Sequence, residues 1–142
     1  MSWHRAIALA VIGLVLLHVG ALFVYSPGDA LFALTPAAPT HSRLGVLALV
    51  CLALTAALAL GRRRLGLGRP EWRALHLALA VAILGTAFAH AVLIQGALDG
   101  PVGSLLLYGG VAIAGASVLY TGLLRPLRLR GRREPGAGDP AP

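Results

Sequence analysis

The chain has 142 residues, enough for one domain; 58% are hydrophobic, 12% are charged, and the mean hydropathy is +0.82. That balance excludes an ordinary water-soluble fold, which needs more polar surface, and makes the bilayer the expected solvent. The net charge is +7, carried by 12 arginines with no lysine, but these sit in short groups beside apolar runs, where membrane topology explains them better than nucleic-acid binding does.

The apolar runs predict an all-α polytopic membrane protein, a bundle of four transmembrane helices filling residues 1–125. Span one covers 5–25, with Trp3 and Tyr25 as interfacial aromatics. Its apolar run exceeds a signal h-region and no clear small-residue cleavage site follows, so it is expected to remain in the chain. Pro27, Gly28, Asp29, Pro36 and Pro39 make the next segment a loop, in which the mildly apolar stretch 30–34 can lie on the membrane surface. Span two covers 44–60 and stops at Gly61. Cys51, the single cysteine, lies within it and leaves no disulfide framework or thiolate metal site. A short basic segment from Arg62 to Pro70 leads into span three, 72–95, closed by Gly96, Asp99, Gly100 and Pro101. Span four covers 102–124 and is rich in the glycine and alanine that let helices approach closely. Pro126 ends it, and 126–142 read as a disordered basic cytoplasmic tail.

Orientation follows from the arginines. Arg5, Arg62, Arg63, Arg64, Arg69, Arg73, Arg125, Arg128, Arg130, Arg132 and Arg133 belong to the N-terminus, the second loop and the tail, whereas the first and third loops hold Arg43 alone. Both termini and the second loop are therefore expected on the cytoplasmic side of an inner (plasma) membrane, and spans one and three run in the same direction.

Four histidines lie within or immediately beside those two spans. His4 and His18 are 14 residues apart, as are His76 and His90. On an α-helix that interval returns the second imidazole to within about 40° of the first, roughly 21 Å further along the axis. Ionisable groups inside a membrane span are functional-site candidates. Two same-sense helices with matched stripes offer imidazoles at two depths, His4 with His76 and His18 with His90. An iron porphyrin between the helices at each depth can take two axial nitrogens. No carboxylate lies in the spans, which argues against a mixed-ligand hydrolytic metal site and against a carboxylate proton relay.

Blander readings stand beside this one. His4, close to the start, can be an interfacial side chain reaching the headgroups, and His41, in the outer loop without a spaced partner, reads as solvated or interfacial. Ile7, Val11, Leu14 and Val15 on span one, and Leu79, Ala80, Ile83 and Ala87 on span three, fill the stripes between the histidines. Small Ala80 and Ala87 leave room for a macrocycle, although plain helix packing uses the same residues. Arg5 and Arg73 at the inner face and Arg43 at the outer are candidate partners for haem propionates, or else topology charges.

These residues resemble the ferric reductase-like transmembrane domains, whose superfamily includes the NADPH oxidases. The likeness rests on Trp3-His4-Arg5 with His18, on the run from Arg62 to Leu67, and on Trp72-Arg73-Ala74-Leu75-His76 with His90, and it covers spans one to three. The resemblance implies a di-haem cytochrome b domain (two haem b) that passes single electrons outward from a cytosolic donor. It puts His4 and His76 on the inner haem and His18 and His90 on the outer. No G-x-G-x-x-G after a strand occurs, so hydride uptake is expected of a separate flavin or NAD(P)H reductase. The acceptor stays open among ferric chelates, oxygen, quinone and a periplasmic protein. The alternatives are a haem-free membrane scaffold or assembly protein, and a family member that keeps one haem.

Overall fold

The computed structural model describes residues 3–94 and 100–125. It is all-α, with five helices, α1 Trp3–Tyr25, α2 Pro27–Phe32, α3 Thr40–Gly61, α4 Arg69–Leu93 and α5 Pro101–Leu119, and a π-helical turn Tyr120–Leu124 that continues α5. No strand occurs among the described residues. Four stretches are long and apolar enough to cross a membrane: Trp3–Tyr25, Thr40–Gly61, Arg69–Leu93 and Pro101–Gly122. The four expected spans are all present, each beginning two to four residues earlier than the apolar runs alone indicate, except the fourth, which begins one residue earlier. The last residue expected of span three, Gln95, and the expected tail, 126–142, lie outside the described residues.

Those early starts have a local cause. Proline fixes φ and lacks an N–H, so it fits the first turn of a helix, where that N–H has no intrahelical acceptor. Pro70 and Pro101 take such positions in α4 and α5, and Pro39 precedes α3 as its cap. The polar residues Thr40, His41, Ser42 and Arg43 thereby belong to the first turn of α3, not to a loop. Pro27 starts α2 in the same way, with Asp29 in the first turn favourably placed against the helix dipole. The segment expected as a surface loop is therefore a short helix, followed by turns, folded back against α1. Gly66, with φ +63°, reverses the chain between α3 and α4, a conformation that costs glycine nothing.

Packing in lipid differs from packing in water. Among the described residues there is no conventional core: Ala30 and Ala38 are the buried hydrophobic ones, and large apolar side chains such as Leu60 and Trp3 stand 88% and 85% exposed. Such a surface is untenable in water and ordinary against acyl chains, so the chain is a multi-pass membrane protein in contact with lipid. The hydroxyls within the spans turn back on their own helices. Thr55 donates to the Cys51 carbonyl at 2.7 Å, Thr86 to Ala82 at 2.6 Å, Ser117 to Ile113 at 2.8 Å and Thr121 to Ser117 at 2.7 Å. Each of these four hydroxyls is satisfied without a partner helix, as suits a bilayer. α3 and α4 pack along their lengths, and α5 joins α4, where Phe88 meets Tyr108 edge-on at 5.9 Å. α1 packs against α2, and no comparable backbone packing joins it to α4. Cavities lie between those two helices instead.

Candidate functional site

Two cavities contain the four histidines of the paired stripes, one pair in each. At the end of the bundle that carries Arg5, Arg62, Arg63, Arg64, Arg69, Arg73 and Arg125, a space of about 970 Å³ is bordered by His4 of α1, by Trp72, Arg73, His76 and Ala80 of α4, and by Thr121 and Arg125 beyond α5. Further along the bundle, a second of about 320 Å³ is bordered by His18 of α1, Ala30 of α2, Gly45 of α3, and Ile83, Ala87 and His90 of α4. Volumes in this range suit ligands the size of a drug or cofactor. Because the N-terminal histidines of α1 and α4 meet at one cavity and the later two at the other, the two helices run in the same sense. The 14-residue interval has become two levels.

At the basic end, the rings of His4 and His76 face each other with centroids 6.0 Å apart and planes at 87°. Trp72, one turn before His76 on the same face of α4, stacks on its imidazole at 5.2 Å and 21°. The Arg62 guanidinium sits 5.6 Å from the centre of the Trp72 ring, a cation–π contact from the loop that precedes α4. His76 is thus held by its plane. Its Nδ1 is buried and has no hydrogen-bond partner among the described residues, a condition that costs about 1–3 kcal/mol in a folded protein.

At the far level His90 is held by its edge. Its Nδ1 lies 2.7 Å from the main-chain carbonyl oxygen of His41 on α3. A carbonyl only accepts, so Nδ1 carries the proton and, in the neutral ring, Nε2 carries the lone pair. Gly45, one turn further along α3, faces the same ring: a Cβ on it would come within 2.8 Å of both Cε1 and Nδ1 of His90. The His41 ring stands 6.4 Å from that of His90, tilted by 35°, but does not border the cavity that His90 shares with His18.

Of the three arginines considered beside the histidines, Arg73 borders the basic-end cavity, whereas Arg5 and Arg43 border neither cavity. Arg43 reaches Thr40 Oγ1 at 3.4 Å instead. Ala80 and Ala87, singled out as small positions on the α4 stripe, each border a cavity, one at each level. Sequence reasoning missed three contributors. Ala30, Ala33 and Leu34 bring the α1–α3 connection over the far cavity, and the signal was Pro27 with Asp29 as a helix start. His41 and Gly45 seat His90 through a carbonyl and a missing side chain, neither of which a sequence pattern displays. Arg125 was counted for topology and joins Arg73 at the basic-end cavity. Among the described residues no group of three or more His, Cys, Asp or Glu converges as a metal site, so any metal here rests on paired imidazoles.

Comparison with known proteins gives one family. The model of the ferric reductase like transmembrane component matches residues 1–87, more than half of the chain. His4, His18 and His76 fall inside that match and His90 lies three residues beyond it. No curated protein and no solved structure matches.

Proposed function

This chain belongs to the family of ferric reductase like transmembrane components, and from that premise we propose that it is a b-type haem-binding subunit carrying single electrons across the inner membrane. The observation that carries the proposal is the pairing: two same-sense helices whose histidines share one cavity at each of two depths.

The residues fit the group. Two imidazoles that border one cavity from different helices can offer nitrogens to a single metal held between them. The His4 and His76 rings stand 6.0 Å apart, and the buried Nδ1 of His76 has no hydrogen-bond partner among the described residues. His90 donates its other ring nitrogen to a backbone carbonyl, the usual outer-shell arrangement of a metal-binding histidine. The His41 ring also stands near that of His90, at 6.4 Å, but it lies apart from the cavity that His18 and His90 share, so we assign His18 and His90 to one iron and His4 and His76 to the other.

A haem b held by His4 and His76, and another held by His18 and His90, would supply reversible one-electron iron chemistry. The chain's own groups do the rest. His4, His76, His18 and His90 would supply the imidazole nitrogens; Trp72 stacks on His76 and sets its plane; Val11, Val15, Ile83 and Ala87 give the far cavity an apolar lining. Thr55, Thr86, Ser117 and Thr121 donate to their own helix backbones. Arg73 is the propionate partner best supported by position, with Arg5 and Arg43 retained as weaker candidates at the two faces. The concentration of arginine at one end supports a cytoplasmic location for that end and for both termini. That end would receive electrons from a separate flavin or NAD(P)H reductase, and the far end would deliver them to an outer acceptor.

The test is a reduced-minus-oxidised absorption spectrum, with haem assay, of the full chain purified in detergent from haem-supplemented cells. A b-type spectrum with about two haems per chain is expected. A well-folded chain without bound haem sinks the proposal and leaves a haem-free membrane scaffold.

A further inference from the structure

We propose that Gly45 and the main-chain carbonyl of His41, both on α3, form a built seat that fixes the orientation and tautomer of His90. The seat turns Nδ1–H towards α3 and leaves Nε2 as the nitrogen available to a metal. The proposal rests on the reading of His90 as a haem ligand, and it assigns positioning roles to two residues that touch no cofactor.

The geometry has two parts that act together. The carbonyl of His41 accepts from Nδ1 at 2.7 Å, so the proton is assigned to that nitrogen and the lone pair to Nε2. The three atoms nearest to a Cβ built on Gly45 all belong to His90: Cε1 and Nδ1 at 2.8 Å and Cγ at 3.3 Å. Real Cβ atoms do not approach ring atoms below 3.0 Å. Any residue with a side chain at 45 therefore pushes the ring away from α3, lengthens the hydrogen bond and turns Nε2 off its line. The remaining ring nitrogen, Nε2, is the one away from the α3 backbone. α3 and α4 are the most closely packed pair of spans. The other histidines have nothing equivalent: no hydrogen bond from His4 or His18 to a main-chain carbonyl is present among the described residues, and His76 has its Nδ1 unpaired.

Four variants of the full chain in detergent test this, each assayed for haem content, reduced spectrum and reduction potentials. Gly45→Ala is expected to lose or perturb the haem of the far level, a loss of about half the bound haem, while the basic-end haem keeps its wild-type potential. His41→Ala, which retains the carbonyl, is expected to match wild type. Gly85→Ala is the control, since nothing lies within 4 Å of the position its Cβ would take. The double variant Gly45→Ala/His90→Ala is expected to fold as well as His90→Ala alone, because the ring that the new methyl meets is gone. Gly45→Ala with wild-type haem content and both potentials unchanged overturns the proposal, as does a double variant that folds worse than His90→Ala. Nitrogen-15 NMR of histidine-labelled wild type gives an independent reading. Protonated Nδ1 and unprotonated Nε2 at His90 are expected, and the opposite tautomer overturns the seat. Should wild type bind no haem, the haem reading falls by itself, and the NMR result and the double-variant comparison still decide the seat.

Discussion

The two levels of the groove between α1 and α4 carry the same pair of residues at the same interval and are otherwise built differently. At the basic end the histidines lie among helix ends: the start of α1, the first turns of α4 and the π-turn after α5 leave a wide space edged by Arg73 and Arg125. At the far level four elements converge, the space is a third of the size, and the connection after α1 closes over it with Ala30 buried. One histidine is held by a stacked indole, the other by a hydrogen bond and a glycine. Spacing along a helix sets the depth of a side chain; the neighbouring helices set its environment. The wide level is edged by arginines, and the narrow one is lined mainly by apolar side chains.

The largest test of that contrast removes one ligand at a time. His76→Ala and His90→Ala are each expected to remove about one of two haems and to leave the other spectrum intact, read by haem assay and low-temperature absorption. Loss of both haems in either variant would merge the two levels into one cooperative unit.

The next test exploits the difference in volume. Ala87→Phe fills the smaller cavity and is expected to exclude its haem, since overpacking a confined site costs roughly 1–3 kcal/mol. Ala80→Phe enters the larger cavity and is expected to leave haem content near wild type. Equal loss from both variants would show that free space does not distinguish the levels.

The smallest effect concerns the indole. Trp72→Ala takes from His76 a stacking contact worth about 0.5–1.5 kcal/mol, so the basic-end haem should persist with a shifted potential and faster loss to an apo-haem acceptor. A far-level potential that moves as much would sever Trp72 from its proposed role.

Much of this was readable in the residues. Four apolar runs gave four membrane-crossing helices, because that depends on patterns along single helices. The 14-residue interval gave the two depths at which His4 with His76 and His18 with His90 border cavities, while their role as iron ligands is a proposal. Ala80 and Ala87 were legible as gaps for the same reason. The roof over the far cavity was not, because α2 is one short helix whose place is fixed by folding back on α1 instead of by any pattern of its own. The seat of His90 was also hidden. It consists of a backbone oxygen that every residue possesses and of a side chain that glycine lacks, and its meaning comes from which helix packs opposite. His41 drew attention as a side chain, while what it contributes to His90 is its main chain.

The absence of a long packed seam between α1 and α4 has one more consequence. A molecule lodged in both cavities touches α1 on one side and α4 on the other, so it acts as mortar between parts that their own backbones barely join. Whatever fills them adds stability by mass action, about 2.7 kcal/mol when present at a hundred times its dissociation constant. Were such a molecule bound, its loading would be coupled to the docking of α1 on α4, and chains lacking it would be the ones more open to proteolysis.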